Sequence, residues 1–361
     1  MNHKVNKHPL YMSRNALKIA IFFAALVVGA GCTPKEIKTS PAFYYWKSEL
    51  HTQQDEQQAL LDHKVKNLYV KFFDVTWNGQ LEKPEPAAKI HIDSTSKAFL
   101  KKENINLIPT VFITNETLEN IIPEAVNKLG ERIYYLLTGL LDENDLLQIK
   151  EVQFDCDWTE STRDKYFELL RYMKMLPKLA DKNVSVTIRL YQCKYKDKAG
   201  VPPANRGLLM CYNMGNLKNP ETKNSILETS ELQKYIGNLN DYPLPLDIAL
   251  PIFDWNVLFR QGQYAGLINQ LPDSLLNAGV CKTDGVYKEM IVDTVLNGYS
   301  LLKGDRLRWE NCRYEDIMKT AAALKPQLIT PEFNLVLYHL DSAILKKYSK
   351  DELEKIFNSL H

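Results

Sequence analysis

The stretch Val152-Gln153-Phe154-Asp155-Cys156-Asp157-Trp158-Thr159-Glu160 decides the fold. Apolar and polar residues alternate through its first half, and the side chains of a β-strand point alternately to opposite faces. If Val152 faces a layer of helices, its odd-numbered neighbours face the other side. In a closed barrel these neighbours, Gln153, Asp155 and Asp157, point at the axis near the C-terminal end of the strand.

Eight short runs of strand-like composition, this one included, follow one another along the chain. They are residues 43–46, 68–75, 107–113, 151–157, 184–190, 208–212, 246–253 and 335–340. Amphipathic runs with helical spacing lie between most of them, at 121–141, 162–179, 230–239, 314–324 and 342–360. Such alternation is typical of parallel strands joined by crossover helices, and eight units predict an α/β fold, the (β/α)8 TIM barrel. A doubly wound open sheet is the alternative, which the lack of a glycine-rich phosphate loop after any strand disfavours.

One long insertion, at about residues 256–311, separates strand seven from its helix. We expect helices at 264–271 and 287–302 within it. Long loops after barrel strands lie on the C-terminal face, where barrel active sites are found. Cys281 lies within this insertion and Cys312 directly follows it, and an oxidising compartment would permit a disulfide between them.

The N-terminus has the features of a secretory signal. Four Lys or Arg residues and no acidic residue precede an apolar run at 19–30, which is too short for the about 20 residues that span a bilayer. Small residues then lead to Cys32, as in a lipoprotein signal. The sequence therefore predicts a signal peptide at 1–31, a lipidated tether at 32–41 that begins with Cys32, and one barrel domain at 42–361. An ordinary signal peptide with a chance cysteine is the alternative, because Gly29 stands where lipoproteins usually have leucine.

Charge restricts the partners of the mature chain. Removing residues 1–31 removes four of the 45 Lys and Arg and none of the 44 Asp and Glu, which leaves a net charge of −3. Nucleic acid is therefore not an expected partner, since phosphate binding needs a concentrated basic face. No histidine or cysteine spacing predicts a metal site, and no cofactor is expected. We expect an exported lipoprotein, held by its lipid at the outer membrane or cell surface.

Two stacked carboxylates inside a barrel indicate a site for acid–base catalysis. Burying Asp155 beside Asp157 raises the pKa of one of them, a situation that acid–base catalysis uses. The alternative is a structural ion-pair network, in which Lys71 and Arg189 point inward and neutralise both aspartates. Aromatic residues also fall at or just after predicted strand ends, where they could pack on sugar rings or simply fill the core. They are Trp46, Trp77, Trp158, Trp255 and Tyr338.

Asp155-Cys156-Asp157-Trp158 resembles the end of the strand-four motif of the chitinase-like glycosidases, family 18. Met210-Cys211-Tyr212-Asn213 is similar to their strand-six motif, and Leu250-Pro251-Ile252-Phe253 to their strand-seven pattern. Residues 336–341 occupy the place of a tryptophan followed by an aspartate. The chain also resembles a group of bacterial glycosidase-like barrels with a Q-x-D-x-D fourth strand. The resemblance spans residues 42–341, although only strand ends match.

The resemblance implies roles for residues near these strand ends. Asp157 would orient a substrate acetamido group that acts as the nucleophile, with help from Tyr212. The family places its proton-donating glutamate directly after the tryptophan, where this chain has Thr159, and Glu160 follows one residue later. The catalytic candidates are thus Asp155, Asp157, Glu160 and Tyr212. The ligand-binding candidates are Gln153, Arg189, Asn213, Trp46, Trp158, Trp255 and Tyr338.

Three functions remain open on the sequence alone. The first is hydrolysis of an oligosaccharide, including one that contains N-acetylhexosamine. The second is a catalytically silent lipoprotein that binds carbohydrate, and the third is a scaffold that binds another protein through the insertion. The position of Glu160 separates the first two, because a carboxylate in the cleft favours catalysis and one in solvent favours binding.

We predict that mass spectrometry of the membrane fraction finds the mature chain beginning at a lipid-bearing Cys32. Cys32→Ser should release the protein from that fraction, because it removes the acyl acceptor. Cys281→Ser is the matched control and should leave the protein in the membrane fraction. Recovery of the wild-type chain as an unmodified soluble protein would show that the leader is an ordinary signal peptide.

Overall fold

The computed structural model describes residues 37–146, 148–269, 271 and 279–361. Cys32 and the predicted signal peptide lie outside the described residues. Eight parallel strands form the centre of the fold, and we number them β1 to β8 in chain order. They are β1 Lys38–Tyr45, β2 Asn67–Asn78, β3 Asn106–Ile113, β4 Glu151–Asp155, β5 Asn183–Arg189, β6 Arg206–Met210, β7 Leu246–Pro251 and β8 Glu332–Tyr338. β1 begins at Lys38, inside the segment that the sequence assigned to the tether.

The sheet closes on itself. β1 pairs in parallel with β2, where Ala42 lies opposite Asn67, and also with β8, where Ala42 lies opposite Val336. Every other neighbouring pair is parallel as well. All six residues of β7 are buried, which suits a strand with helices outside and a filled barrel inside. The predicted TIM barrel is confirmed, and the open sheet is excluded.

Helices surround the barrel. Among the described residues they are Gln54–Asp62, Ser94–Lys102, Asn115–Asn120, Val126–Glu143, Arg163–Met175, Leu190–Lys194, Lys196–Ala199, Thr229–Gln233, Tyr314–Leu324, Ser342–Leu345 and Lys350–Phe357. Arg163–Met175 ends where Leu176 turns extended, as a residue before proline must. The predicted helix 342–360 is two helices, because Ser349 caps a second one through the backbone N–H of Glu352. No helix in the described part of the chain is long and apolar enough to cross a membrane.

The insertion after β7 is a sheet, and the prediction of helices at 264–271 and 287–302 is wrong. Five antiparallel strands, in spatial order Gln263–Ile268, Trp255–Arg260, Arg306–Glu310, Tyr287–Met290 and Cys281–Asp284, form the sheet. Thr294–Leu296 and Tyr299–Leu301 form a separate hairpin. The two residues that join this hairpin, Asn297 and Gly298, both have positive φ, as a tight hairpin turn requires. Cys312 is a buried free thiol, so the expected disulfide is not formed.

Two smaller features complete the barrel. β2 continues beyond the barrel and pairs antiparallel with Lys83–Ala87, with Trp77 opposite Pro84. At the N-terminal end of the barrel, the fully buried Asp247 accepts hydrogen bonds from Arg206 Nη1 at 2.8 Å and from the backbone N–H of Asn334 at 2.6 Å. The polar groups at this end are therefore hydrogen-bonded to one another and close it, and the barrel opens at its C-terminal end.

Candidate functional site

A cleft of about 780 Å³ opens at the C-terminal end of the barrel and against the insertion. Its aromatic lining comes from the ends of β1, β3, β6, β7 and β8 and from the inserted sheet. These residues are Trp46, Phe112, Tyr212, Phe253, Trp255, Trp309 and Tyr338. The charged and polar lining includes Asp155, Asp157, Arg189, Asn213, Asp254 and His339. The cleft thus combines ring faces with a small set of polar groups, as small-molecule sites do.

The side chains of β4 alternate as the sequence predicts. Gln153 lies deep inside the barrel, where its Oε1 accepts hydrogen bonds from the Tyr44 hydroxyl and from Thr110 Oγ1. Asp155 comes next, and its Oδ1 accepts a 2.5 Å hydrogen bond from Thr187 Oγ1. Asp157 follows, half-buried in the cleft wall. Gln153 does not line the cleft, so its predicted contact with a ligand is not supported by its position.

Asp155 is held in an environment that disfavours its ionised form. Burial, followed by the nearby Asp157 carboxylate, raises the pKa of Asp155 to about 7, and the hydrogen bond from Thr187 opposes that rise. A buried carboxyl that exchanges a proton near pH 7 can serve in acid–base chemistry, but it is also what burial alone produces.

The two cations expected to neutralise the aspartates behave differently. Arg189 Nη1 lies 2.9 Å from Asp157 Oδ2, and Arg189 Nη2 also donates to the carbonyl oxygen of Asn213. Lys71 pairs with Asp74 instead, at 3.1 Å. Because nearly half of each side chain in the Arg189–Asp157 pair is exposed, its role is to orient the carboxylate more than to add stability.

Tyr338 is the centre of an aromatic cluster. Its ring lies 5.3–5.8 Å, centroid to centroid, from the rings of Tyr44, Trp46, Tyr212 and Phe253. Burial raises the pKa of Tyr212, so its hydroxyl keeps its proton at neutral pH. This cluster forms the floor of the cleft.

Two tryptophans of the insertion form one wall. Trp255 Nε1 donates to Glu310 Oε2 at 2.8 Å, and Trp309 Nε1 donates to Asp254 Oδ2 at 3.0 Å. Sequence reasoning missed Trp309, Asp254 and Glu310, because it expected helices in this segment. The Asn297-Gly298 pair was the available signal, since that dipeptide favours a hairpin.

His339 also lines the cleft. Burial lowers the pKa of His339 to about 4, so its ring is neutral at pH 7. Its Nδ1 has no hydrogen-bond partner within the described part of the chain. No group of three or more His, Cys, Asp or Glu among the described residues could hold a metal ion.

Comparisons with known proteins bear on the fold. No family model and no curated protein match the sequence. The spore cortex-lytic enzyme SleL of Bacillus cereus is a similar solved structure, with a TM-score of 0.54 and 11% identity over 90% of this chain and 75% of that one. The C-terminal domain of a putative chitinase from Desulfitobacterium hafniense matches with a TM-score of 0.56 and 9% identity over 90% and 100%. A chitinase catalytic domain from Ostrinia furnacalis, solved with penta-N-acetylchitooctaose, matches with a TM-score of 0.52 and 10% identity over 89% and 96%.

The described body is a TIM barrel, the fold of these solved structures. At these identities the likeness shows the fold alone, so the chemistry of the barrel must be argued from its own side chains.

Trp158, predicted to bind ligand, is part of the core of the barrel. It is 3% exposed, stacks on Tyr166 at 5.2 Å and donates from Nε1 to the carbonyl oxygen of Ala199 at 2.9 Å. The physical reason is alternation: Trp158 follows the even-numbered residues of β4, which face the helices. It therefore cannot stack on a sugar in the cleft.

Glu160, predicted as an acid, is also outside the cleft. It is exposed, and it belongs to the turn that precedes the helix Arg163–Met175. Thr159, which stands where the chitinase-like family has its glutamate, is exposed as well, and its Oγ1 lies within hydrogen-bonding distance of Ser161 Oγ. Among the described residues, the carboxylates that line the cleft are thus Asp155, Asp157 and Asp254.

We predict that Asp155→Asn stabilises the protein in a pH-dependent way. The folded-state pKa lies above the unfolded value, so the wild type loses stability as the pH rises from about 4 to about 7. The asparagine keeps an acceptor for Thr187 and does not titrate. The gain of the variant over the wild type should therefore grow from pH 4 to pH 8, to at most about 4 kcal/mol.

Chemical denaturation across this pH range measures the difference. Asp351→Asn removes one charge at an exposed position and controls for the change in net charge. A gain that stayed constant from pH 4 to pH 8 would show that Asp155 is not the titrating group.

Proposed function

We propose that this protein binds an oligosaccharide containing N-acetylhexosamine in the cleft at the C-terminal end of the barrel. The observation that carries the proposal is the cleft itself, which joins aromatic faces at its floor and wall to a carboxylate held by an arginine. Sugar rings pack their C–H faces on aromatic rings, and their hydroxyl groups need fixed polar partners.

The polar groups of the cleft suit an uncharged ligand. Arg189 is paired with Asp157 and Lys347 with Asp254, so each of these cations already has a carboxylate partner. The hydroxyl groups of Tyr212 and Tyr338 accept or donate no hydrogen bond within the described residues, and both side chains line the cleft. They can therefore bond to the hydroxyl or acetamido groups of a neutral sugar.

The fold likeness supports the class of ligand. The Ostrinia furnacalis domain was solved with an N-acetylated chitooligosaccharide. The resemblance at strand four implies that Asp157 orients an acetamido group, as the matching aspartate does in that family. Asn213, which lies next to Tyr212 and lines the cleft, adds an amide that can bind a hydroxyl or acetamido group.

Hydrolysis is the second candidate, and the pKa of Asp155 favours it. A carboxyl group with a pKa near 7, directly below Asp157, is the kind of pair that exchanges a proton during glycoside cleavage. The absence of a glutamate at position 159 counts against this candidate, because Glu160 lies in solvent. Asp157 would then have to protonate the leaving group itself.

We further propose that a lipid on Cys32 anchors the protein at the outer membrane or cell surface. The basic leader, the short apolar run and the small residues before Cys32 support this placement. A glycan-binding barrel on such an anchor would capture oligosaccharides at the envelope.

We predict that isothermal titration with N-acetylglucosamine oligomers detects binding to the wild type. Trp46→Ala should weaken that binding about tenfold, because it removes one ring face from the cleft. Trp77→Ala, the same change on the hairpin outside the cleft, is the matched control and should leave the dissociation constant unchanged. Absence of binding across a broad glycan panel would refute the proposal.

For the second candidate, release of reducing ends from the same oligomers is the measurement. If the wild type hydrolyses them, Asp157→Asn should lower kcat by about 10²–10⁴-fold, because it removes the carboxyl group that would protonate the leaving group. Glu160→Gln should leave kcat unchanged, since that side chain lies in solvent. A large loss with Glu160→Gln would mean that the loop rearranges around the substrate.

A further inference from the structure

The insertion contains a buried ion pair that connects it to the loop that follows β6. Arg308 Nε lies 2.8 Å from Glu310 Oε1, and neither side chain is exposed to solvent. Both residues belong to the inserted strand Arg306–Glu310, and they share one face of it. An ion pair is buried this deeply without loss only when hydrogen bonds satisfy its remaining atoms, so its other partners show what it holds.

Arg308 holds the loop that follows β6. Its Nη1 donates to the carbonyl oxygen of Asn219 at 2.8 Å, and its Nη2 donates to that of Leu217 at 3.1 Å. Asn224 Nδ2 adds a 2.7 Å bond from the same loop to the carbonyl oxygen of Asn311. The loop is therefore fixed to the insertion through its backbone.

Glu310 accepts hydrogen bonds both from the other end of this loop and from a residue that lines the cleft. Its Oε2 accepts from the backbone N–H of Ser225 at 2.9 Å, from Ser225 Oγ at 2.5 Å and from Trp255 Nε1 at 2.8 Å. One carboxylate oxygen therefore binds both the loop after β6 and the indole of Trp255, which forms part of the cleft wall.

The loop after β6 also hydrogen-bonds to the backbone of a residue that lines the cleft, Asn213. The backbone N–H of Asn213 donates to the carbonyl oxygen of Ile226 at 2.8 Å, and Gly215 does the same to Ser225 at 3.1 Å. Asn213 lines the cleft with a φ of 53°, a conformation that non-glycine residues adopt only when their surroundings hold them there. The carbonyl oxygens of Ser225 and Ile226 therefore hold the backbone at Gly215 and Asn213 in place.

From these contacts we infer that Arg308 and Glu310 are positioning residues, which fix Trp255 and Asn213 relative to each other and so determine which ligand the cleft accepts. The inference rests on the proposed function for the identity of the ligand as a glycan. The hydrogen bonds that fix Trp255 and Asn213 do not depend on which ligand binds.

Stability alone is a poor explanation for the pair. Replacing a buried ion pair by apolar residues of similar volume is often neutral or stabilising. The same insertion also contains Arg260–Asp305, at 2.7 Å, which bonds within the insertion at Ser300 and Leu302 and does not line the cleft. This second pair provides a matched control.

The test uses the full chain labelled with 5-fluorotryptophan and observed by ¹⁹F NMR, with titration of N-acetylglucosamine oligomers on the same samples. Trp255→Phe assigns the Trp255 signal among the five tryptophans. Glu310→Gln should shift or broaden that signal and weaken oligomer binding about tenfold, because the amide cannot accept from both Arg308 and Trp255. Arg260→Met should leave the Trp255 signal and the dissociation constant at their wild-type values.

Ser225→Ala is a milder variant that keeps the ion pair, for the case in which Glu310→Gln fails to fold. It should shift the Trp255 signal and weaken binding a few-fold, because one of the donors to Glu310 is lost. A wild-type Trp255 signal and dissociation constant in the folded variants would overturn the inference. A wild type that binds no oligomer would refute the proposed function, while the Trp255 signal would still decide the positioning role.

Discussion

The alternation of side chains along β4 places a carboxyl group, Asp155, almost fully buried at the inner end of the cleft. An ionised carboxylate in such a place is unfavourable unless it has donors, and Thr187 of the neighbouring strand supplies one. The next inward residue, Asp157, reaches the cleft and meets Arg189. The polar part of the site therefore follows from one strand, whose odd-numbered residues point inward one after another towards the C-terminal end.

The aromatic part of the site has a different origin. The barrel contributes the floor around Tyr338, whereas the inserted sheet contributes Trp255 and Trp309. Two separate carboxylates hold these indoles, Glu310 for the first and Asp254 for the second. Because their N–H groups are hydrogen-bonded, these two indoles have little freedom of movement, which lowers the entropic cost of ordering the cleft wall when a ligand binds.

Much of this arrangement could be predicted from the sequence. The strand runs and the helical runs between them predict the barrel, and the period of two in β4 predicts that Asp155 and Asp157 point inward. The same period also predicts that Trp158 faces the helices, but its place at a strand end suggested a ligand contact. The insertion could not be predicted from apolar spacing, because short strands and short helices give similar patterns. Contacts between distant loops, such as those of Glu310 with Ser225, leave no local signal at all.

The backbone after Trp158 explains why Glu160 lies in solvent and not in the cleft. Gln192 Nε2 donates to the carbonyl oxygen of Trp158 at 2.9 Å, and Thr159 accepts from the backbone N–H of Arg163 at the same distance. Residues 159 and 160 are both exposed, and residue 160 already belongs to the first turn towards the helix. The backbone N–H of Thr159 also donates to Thr162 Oγ1 at 2.9 Å, so hydrogen bonds fix this turn. The carboxylate of Glu160 is therefore held outside the cleft by the turn that leads to the helix.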